Sequence, residues 1–175
     1  MTANTNPTHR PVRPVPRSVR PARPAVPVPS DFEVLDPAHR AAIDMLQHLD
    51  ILVRRLADRG VDAEARHQAR EVLDYFNGPG LGHHAQEESQ VFPALLASGD
   101  AELVQHVQRL RQDHGWIEED WRELAPQIDA IANGYDWYDL AVLQAAVPIF
   151  SALCHEHIAL EECVVYPAAK NLLRH

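Results

Sequence analysis

The sequence predicts an all-α protein, an up-down-up-down four-helix bundle over residues 31–175 that follows a disordered N-terminal tail at residues 1–30. Three observations support this fold class. From Asp31 onward, apolar residues recur at helical spacing and strand signals are almost absent. Short breakers divide the pattern into four segments, and short connections are typical of helices that alternate in direction. A thirteen-residue string also occurs twice, once in the second segment and once in the fourth.

Glycine-containing breaks bound the first two predicted helices. Helix 1 should cover about residues 37–58, stop before a glycine, and carry His39 on its apolar face. Helix 2 should start near Asp62 and meet a strong breaker at residues 77–82, where we expect a break or kink. A second segment of this helix should then continue to about residue 97.

The last two predicted helices are longer. Helix 3 should begin after Ser98-Gly99-Asp100, which has the composition of an N-cap, and should end before Asn133-Gly134. We expect Pro126 to bend it. Helix 4 should cover about residues 139–173, with a kink at Pro148.

Residues 1–30 have a composition that opposes folding. They contain eight of the fourteen prolines and five arginines but no acidic residue, so we expect an extended, mobile tail. Two interpretations of the tail stay open: a docking arm for an unknown protein partner, or a leader with no role. Residues 31–175 hold the other 11 basic residues and all 25 acidic ones, a net charge of −14. This balance argues against nucleic acid and anionic membranes as partners.

The sequence also bears on the compartment. We find no secretory signal and expect no segment long and apolar enough to span a bilayer. Cys154 and Cys163 are nine residues apart on one predicted helix, which places their Cα atoms roughly 13 Å apart. A disulfide needs less than about 7 Å. Both cysteines are therefore expected to be reduced, which favours a cytoplasmic protein.

The repeated string places a histidine four residues ahead of a glutamate in both copies. The first copy pairs His83 with Glu87 and the second pairs His157 with Glu161; seven of the thirteen positions are identical. Residues i and i+4 share one face of a helix, so each copy directs an imidazole and a carboxylate to the same point. Two such copies that face each other predict a metal site.

Alignment of the two copies also separates shared positions from unshared ones. His84 is matched by an isoleucine, so we give it no part in the shared function and expect it at the surface. Glu88 and Glu162 follow the paired glutamates by about 100° around the helix, which favours a supporting or surface role over ligation. Phe92 and Tyr166 are expected to pack in the core.

One histidine from each remaining helix completes a candidate ligand set of four imidazoles and two carboxylates. Burial of so much charge is costly unless the groups are paired or bind metal. Imidazole with carboxylate suits iron, manganese or zinc. Two bridging carboxylates, with too many ligands for one tetrahedral zinc, favour a binuclear iron site. The six candidates are His39, His83, Glu87, His114, His157 and Glu161.

At these positions the chain resembles the hemerythrin family, specifically the hemerythrin-like HHE cation-binding domains, over about residues 31–173. The resemblance implies a non-haem di-iron centre with oxo- or hydroxo- and carboxylate bridges, and an open position for dioxygen or another small oxidant. Manganese and zinc are the less favoured metals. The matching stretches are Pro-Ala-His39-Arg, His83-x-x-x-Glu87-Glu-x-x-x-Phe-Pro, Gln-Asp-His114, and His157-x-x-x-Glu161-Glu-x-x-x-Tyr-Pro.

One departure from the family concerns helix 3. Oxygen-carrying members have a second histidine one turn after the helix 3 histidine and reach five histidines in all, whereas this chain has Glu118 there and four candidate histidines. Glu118 is a seventh candidate, with three roles open: metal ligand, support for a ligand, or solvent-facing residue. Because an anionic ligand favours ferric over ferrous iron, we do not expect long-lived reversible oxygen carriage.

Several functions remain open at this level. The leading hypothesis is a di-iron protein that binds or senses dioxygen or a related small oxidant. The alternatives are a di-iron enzyme acting on peroxide or nitric oxide, an iron-storage or iron-donation protein, and an adaptor whose metal state controls a partner held by the tail. The sequence does not decide whether the protein is an enzyme.

Overall fold

A computed structural model describes residues 37–172, and that part of the chain is almost entirely helical and contains no strand. The predicted tail at residues 1–30 and the domain boundary at residue 31 lie outside the described residues. The elements are α1 (Pro37–Arg59), α2 (Ala63–Asn77), α3 (Pro79–Gln86), the π-helical turn π1 (Glu87–Val91), α4 (Phe92–Leu96), α5 (Ala101–Asn133), α6 (Leu140–Leu160), the π-helical turn π2 (Glu161–Val165) and α7 (Tyr166–Leu172).

These elements form four long helical rods. The second rod consists of α2, α3, π1 and α4, and the fourth consists of α6, π2 and α7. The first rod, α1, packs against α2 and α6, and the third rod, α5, packs against the same two helices. Each rod therefore neighbours the one before it and the one after it, which confirms the predicted up-down-up-down bundle.

Local capping sets the ends of these helices. The Asp62 side chain accepts a hydrogen bond from the backbone N–H of Ala65 at the start of α2. Asp100 accepts from the N–H groups of Glu102 and Leu103 at the start of α5, as its position in the sequence predicts. Helix α5 ends at Gly134, whose φ of 75° lies in the left-handed region that glycine adopts without strain.

The helices are interrupted at different positions from those predicted. The predicted break at residues 77–82 is confined to Gly78, because α3 already begins at Pro79. Pro126 and Pro148 both lie inside α-helices that continue through them. The α-helical hydrogen bonding is interrupted instead at π2 in the fourth rod and at the matching turn π1 in the second rod. Neither turn was predicted from the sequence.

The two π-helical turns have a common cause in the repeat. Each copy has a proline, Pro93 or Pro167, just after its turn. Proline has no N–H to donate, and in an α-helix its ring clashes with the carbonyl four residues earlier. The wider turn relieves this, and the N–H groups of Phe92 and Tyr166 bond to the carbonyls of Glu87 and Glu161, five residues back.

Two large apolar clusters fill most of the described bundle, and a polar layer separates them, formed by buried His39, Glu87, His114, His157 and Glu161. The larger core lies among α1, α2, the later part of α5 and the earlier part of α6. The smaller core lies among α4, the first part of α5 and the end of the fourth rod. Along α5 the order is Leu110 in the smaller core, buried His114, and then Ile117 in the larger core.

The fourth rod bears on the expectation that no segment could span a membrane. Within Leu140–Leu172, an 18-residue stretch with a mean hydropathy of 1.2 is long and apolar enough to do so by length and composition, so that expectation was wrong on this criterion. Half of the most apolar stretch is buried inside the bundle, and a buried core helix has the same character. The rod also carries buried His157 and Glu161.

Candidate metal centre

Two buried carboxylates occupy the middle of the polar layer, and each extends between two imidazoles. Glu161 places Oε2 3.0 Å from Nε2 of His39 and Oε1 3.1 Å from Nε2 of His157. Glu87 places Oε1 3.5 Å from Nε2 of His83 and Oε2 3.4 Å from Nε2 of His114. Each carboxylate therefore directs its two oxygens to two different places.

The imidazoles form two pairs that correspond to these places. The Nε2 atoms of His39 and His83 are 3.0 Å apart, and the ring centroids of His114 and His157 are 4.7 Å apart. Each pair, taken with both carboxylates, forms a group whose ligand atoms all lie within 4.8 Å of one another. All six residues that the repeat and the helix faces predicted as ligands thus converge, on two adjacent positions that share Glu87 and Glu161.

A fifth imidazole lies beside the second pair, and the sequence analysis missed it. His84 was expected at the surface, but its ring stacks on that of His114 with a centroid distance of 4.1 Å. Burial, followed by the neighbouring histidines, lowers the pKa of His84 to about 2. The site therefore offers five imidazoles rather than the expected four.

Glu118 does not belong to these groups. Among residues 37–172, it is absent from every set of converging metal-ligand atoms and instead lines the wall of a neighbouring cavity, partly exposed. Of the three roles left open for Glu118, metal ligation gains no support from this geometry. Without a carboxylate ligand at this position, the centre has no added preference for ferric iron from Glu118 that would oppose reversible oxygen binding.

The outer nitrogens of the imidazoles face further carboxylates. Nδ1 of His39 is 2.5 Å from Oε1 of Glu162, and Nδ1 of His114 is 2.9 Å from Oε1 of Glu88. These two glutamates are the second of each Glu-Glu pair, and of the supporting and surface roles left open for them, their contacts favour the supporting one. A carboxylate that accepts the Nδ1 proton leaves the lone pair on Nε2, toward the shared glutamates.

Three further contacts come from residues that the sequence analysis did not place at the site. Asp113 lies directly before His114 and places Oδ2 3.8 Å from Nδ1 of His157. Tyr166, expected only in the core, donates a hydrogen bond of 2.5 Å to Oε1 of Glu87 and stacks on the His39 ring. The sequence signal for the tyrosine was its pairing with Phe92, the one aromatic position at which the two copies differ by a hydroxyl.

The imidazoles and carboxylates of the polar layer shift one another's pKa values. Burial alone lowers the pKa of His157, but Glu161 and Asp113 outweigh it and raise that pKa to about 10. The same competition raises the pKa of His39, through Glu161 and Glu162. Although burial works against ionisation of Glu161, His157 and His39 hold its pKa well below its usual range. In the metal-free protein, protons on His157 and His39 therefore offset part of the buried carboxylate charge, and a bound cation would take their place.

The chemistry of the donor set fits metal binding. Within residues 37–172, several buried side-chain atoms at the centre approach one another at ion-pair distance without a hydrogen bond of good geometry, namely Oε2 of Glu87, Nε2 of His114, and both carboxylate oxygens of Glu161. Unsatisfied buried atoms of this kind are costly unless another partner compensates them. Imidazole nitrogens and carboxylate oxygens are the ligands that iron, manganese and zinc accept.

A cavity of about 40 Å³ adjoins this centre. A water molecule needs only roughly 10–15 Å³ on the same measure, so the cavity admits a small molecule of a few atoms. Its walls are mainly apolar, and one side is formed by imidazoles of the centre. Burial raises the pKa of the Cys154 thiol in the wall and keeps it protonated. The principal lining residues are His39, His83, His84, His157, Leu46, Phe76, Ile117, Trp121 and Cys154.

Comparison with known proteins identifies the family. The model of the hemerythrin HHE cation-binding domain matches residues 30–169, most of the chain. The chain belongs to the hemerythrin HHE cation-binding family. This hemerythrin-like protein is also similar to an uncharacterized protein of Haemophilus influenzae, with 25% identity over 132 residues that cover 75% of this chain and 74% of the relative. No solved structure matched the sequence.

Membership in this family agrees with the geometry of the site. The hemerythrin-like fold supplies one ligand-bearing segment from each of its four rods, and the His and Glu side chains on them form groups able to hold metal ions. The protein is accordingly a metal-binding hemerythrin-like protein.

Proposed function

We propose that this protein holds two iron ions, bridged by Glu87 and Glu161, and that it binds or senses dioxygen or a related small oxidant. The observation that carries the proposal is that each carboxylate directs its two oxygens to two different imidazole pairs. A single ion would leave one oxygen of each carboxylate without a cation. Two adjacent ions use all four oxygens.

The donor chemistry favours iron over its competitors. Two carboxylates shared between ions with mixed imidazole and carboxylate donors are typical of binuclear iron sites in helical bundles. A tetrahedral zinc ion has too few positions for so many converging donors. Manganese accepts similar ligands, so metal availability also contributes to the choice. Bound iron would supply the electrons that reaction with an oxidant requires.

The surrounding residues support a small apolar ligand. The adjoining cavity has room for a few atoms and mainly apolar walls, which favour dioxygen or nitric oxide over ions. Glu162 and Glu88 orient two imidazoles, and Tyr166 holds one oxygen of Glu87. These contacts orient the ligand atoms before a metal binds.

Anaerobic purification with metal counting, followed by absorption spectra before and after admission of oxygen, tests the proposal. We expect two irons per chain and a new charge-transfer band that reverses under vacuum. His157→Ala should lose iron, whereas the matched control His155→Ala should not, because Nδ1 of His155 bonds to the Ser151 carbonyl and this histidine belongs to none of the ligand groups. Zinc, or less than one iron per chain, would contradict the proposal.

Two other outcomes of this experiment would favour a different function for the iron centre. Irreversible oxidation with turnover of peroxide or nitric oxide would favour the enzyme alternative over binding or sensing. Rapid loss of iron to an acceptor chelator after reduction would favour iron storage or donation.

A further inference from the structure

The first copy of the repeat offers one imidazole more than the second. His84 directly follows His83, and the second copy has Ile158 at the same place. Ile158 is buried against Ile43 in a small apolar cluster. His84 instead lies against two imidazoles of the metal centre, so the two copies present different chemistry to the site at this position.

The geometry around His84 is that of a ligand group. Its ring stacks on His114 at 4.1 Å with an interplanar angle of 14°, and meets the His157 ring edge-on at 5.5 Å. One ring nitrogen from each of the three histidines lies within 4.8 Å of the other two. Nδ1 of His84 is buried and makes no hydrogen bond within the part of the chain that the structure describes, and an unsatisfied buried nitrogen is costly unless a partner compensates it.

Adjacent positions on a helix explain how both histidines of the first copy reach the site. Consecutive side chains diverge by about 100° around the helix axis. The ring centroids of His83 and His84 are 6.2 Å apart. His83 extends toward His39, and His84 extends toward His114. Neighbouring side chains thus serve the two metal positions separately.

We propose that His84 is a third imidazole ligand of the metal ion held by His114 and His157. This inference rests on the proposed function, which places one ion on each side of the two shared carboxylates. The two ions then differ, because His39 and His83 give one of them only two imidazoles. Loss of His84 should weaken the binding of one ion and leave the other in place.

Titration of metal-free protein with cobalt(II) under anaerobic conditions tests this, because the cobalt absorption bands report ligand number without any reaction with oxygen. Wild-type protein should bind two cobalt ions per chain. His84→Ala should keep the first ion, weaken the second by tenfold or more, and change the absorption of that ion alone. Added imidazole should restore the lost absorption, because the truncated side chain leaves space for it.

A second variant separates ligation from packing. His84→Phe keeps a flat ring against His114 but has no nitrogen, so it should fold as well as wild type by circular dichroism and still lose the second ion. His155→Ala is the matched control and should titrate as wild type does. If His84→Phe binds both ions with the wild-type spectrum, the role of His84 is stacking and the inference is overturned.

The experiment also distinguishes this inference from the proposed function. If wild-type protein binds two cobalt ions and the His84 variants lose one, but the iron-loaded protein does not react with oxidants, the ligand role holds and the proposed function fails. If wild-type protein binds fewer than two cobalt ions, both are overturned.

Discussion

Removal of the charge on Glu162 should weaken metal binding without removal of any ligand. Nδ1 of His39 is 2.5 Å from Oε1 of Glu162, and the Glu162 side chain is only 9% exposed. Partners of this kind fix the orientation of a ligand imidazole and raise its basicity, and their loss typically costs about 10- to 100-fold in metal affinity. The corresponding free energy is about 1.4 to 2.7 kcal/mol.

Substitution of Glu162 by Gln and by Ala should reduce metal affinity by amounts at opposite ends of this range. Glu162→Gln keeps an oxygen that accepts the Nδ1 proton of His39 but loses the negative charge, so we expect a loss of about tenfold. Glu162→Ala removes the acceptor as well and leaves a buried imidazole nitrogen without it, so we expect a loss near 100-fold.

Glu88 provides an internal comparison. It forms the equivalent contact with His114, but at 2.9 Å, with 36% of its side chain exposed and Arg111 3.5 Å away. Water and the arginine screen its charge, so Glu88→Gln should cost less than Glu162→Gln. The Glu102 side chain is 87% exposed, and the ion pair that the structure shows for it is a 3.9 Å contact with His106. Glu102→Gln should have no effect.

Competition between the protein and a chromophoric chelator for ferrous iron under anaerobic conditions measures these differences. Thermal unfolding of the metal-free variants controls for a general loss of stability. The reasoning is refuted if Glu162→Gln is indistinguishable from Glu102→Gln, or if Glu88→Gln causes the larger loss.

Three further changes test other contacts. Tyr166→Phe removes the hydroxyl that donates to Glu87 and should lower the free energy of unfolding by about 1.5 kcal/mol in chemical denaturation; no loss would mean that the hydroxyl contributes nothing. Phe150→Ala, at a side chain 1% exposed in the larger core, should cost about 3–5 kcal/mol while the metal count stays at two, and a cost below about 1 kcal/mol would argue against close packing. Arg55 holds the pKa of Asp62 well below its usual 3.8, so the ion pair stabilises the fold fully above pH 3.8 and is lost as pH falls through the lower folded pKa. Asp62→Asn, which keeps the helix cap, should therefore unfold at a lower temperature than wild type at pH 7, and a gap that does not close in strong acid would contradict this origin.

The ligand set could largely be predicted from the sequence because the repeat fixes helical register. Two copies of the same His-x-x-x-Glu spacing place His83 with Glu87 and His157 with Glu161 on single helix faces, and the structure brings these four residues together. The ends of the helices followed from equally local signals, such as the Asp100 cap. Information of this kind depends on near neighbours in the chain and needs no knowledge of packing.

Comparison of the two copies of the repeat gave no information about residues that occur in only one of them. Alignment of the copies dismissed His84 because an isoleucine matches it, yet the ring lies against His114 across the bundle. An alignment of two copies reports only their common features, whereas an asymmetric site uses the differences. The contacts of Glu88 and Tyr166 join different rods in the same way. They depend on how the rods rotate against one another, which no single segment determines.

The π-helical turns were overlooked for a related reason. Kinks were expected at Pro126 and Pro148, but α5 and α6 continue through both prolines. Pro93 and Pro167 occur in the repeat itself. They were counted there as shared residues of the motif, and their effect on the helical backbone was not considered. Their missing N–H groups have a direct physical effect, and the widened turn lies at the shared glutamates in both copies.

The polar layer between the two apolar clusters has a consequence for cooperativity. Side chains in the larger core and the smaller core are separated along α5 by His114 and along α6 by His157. Among residues 37–172, apolar contacts of these two clusters therefore do not run uninterrupted from one end of the bundle to the other. The layer between them holds mutually repelling carboxylates, whose charge is offset in part by protons on His39 and His157. A bound metal pair would connect all four rods at that level. The metal-loaded protein should then melt as one unit, whereas the metal-free protein should lose the end built on the smaller core first.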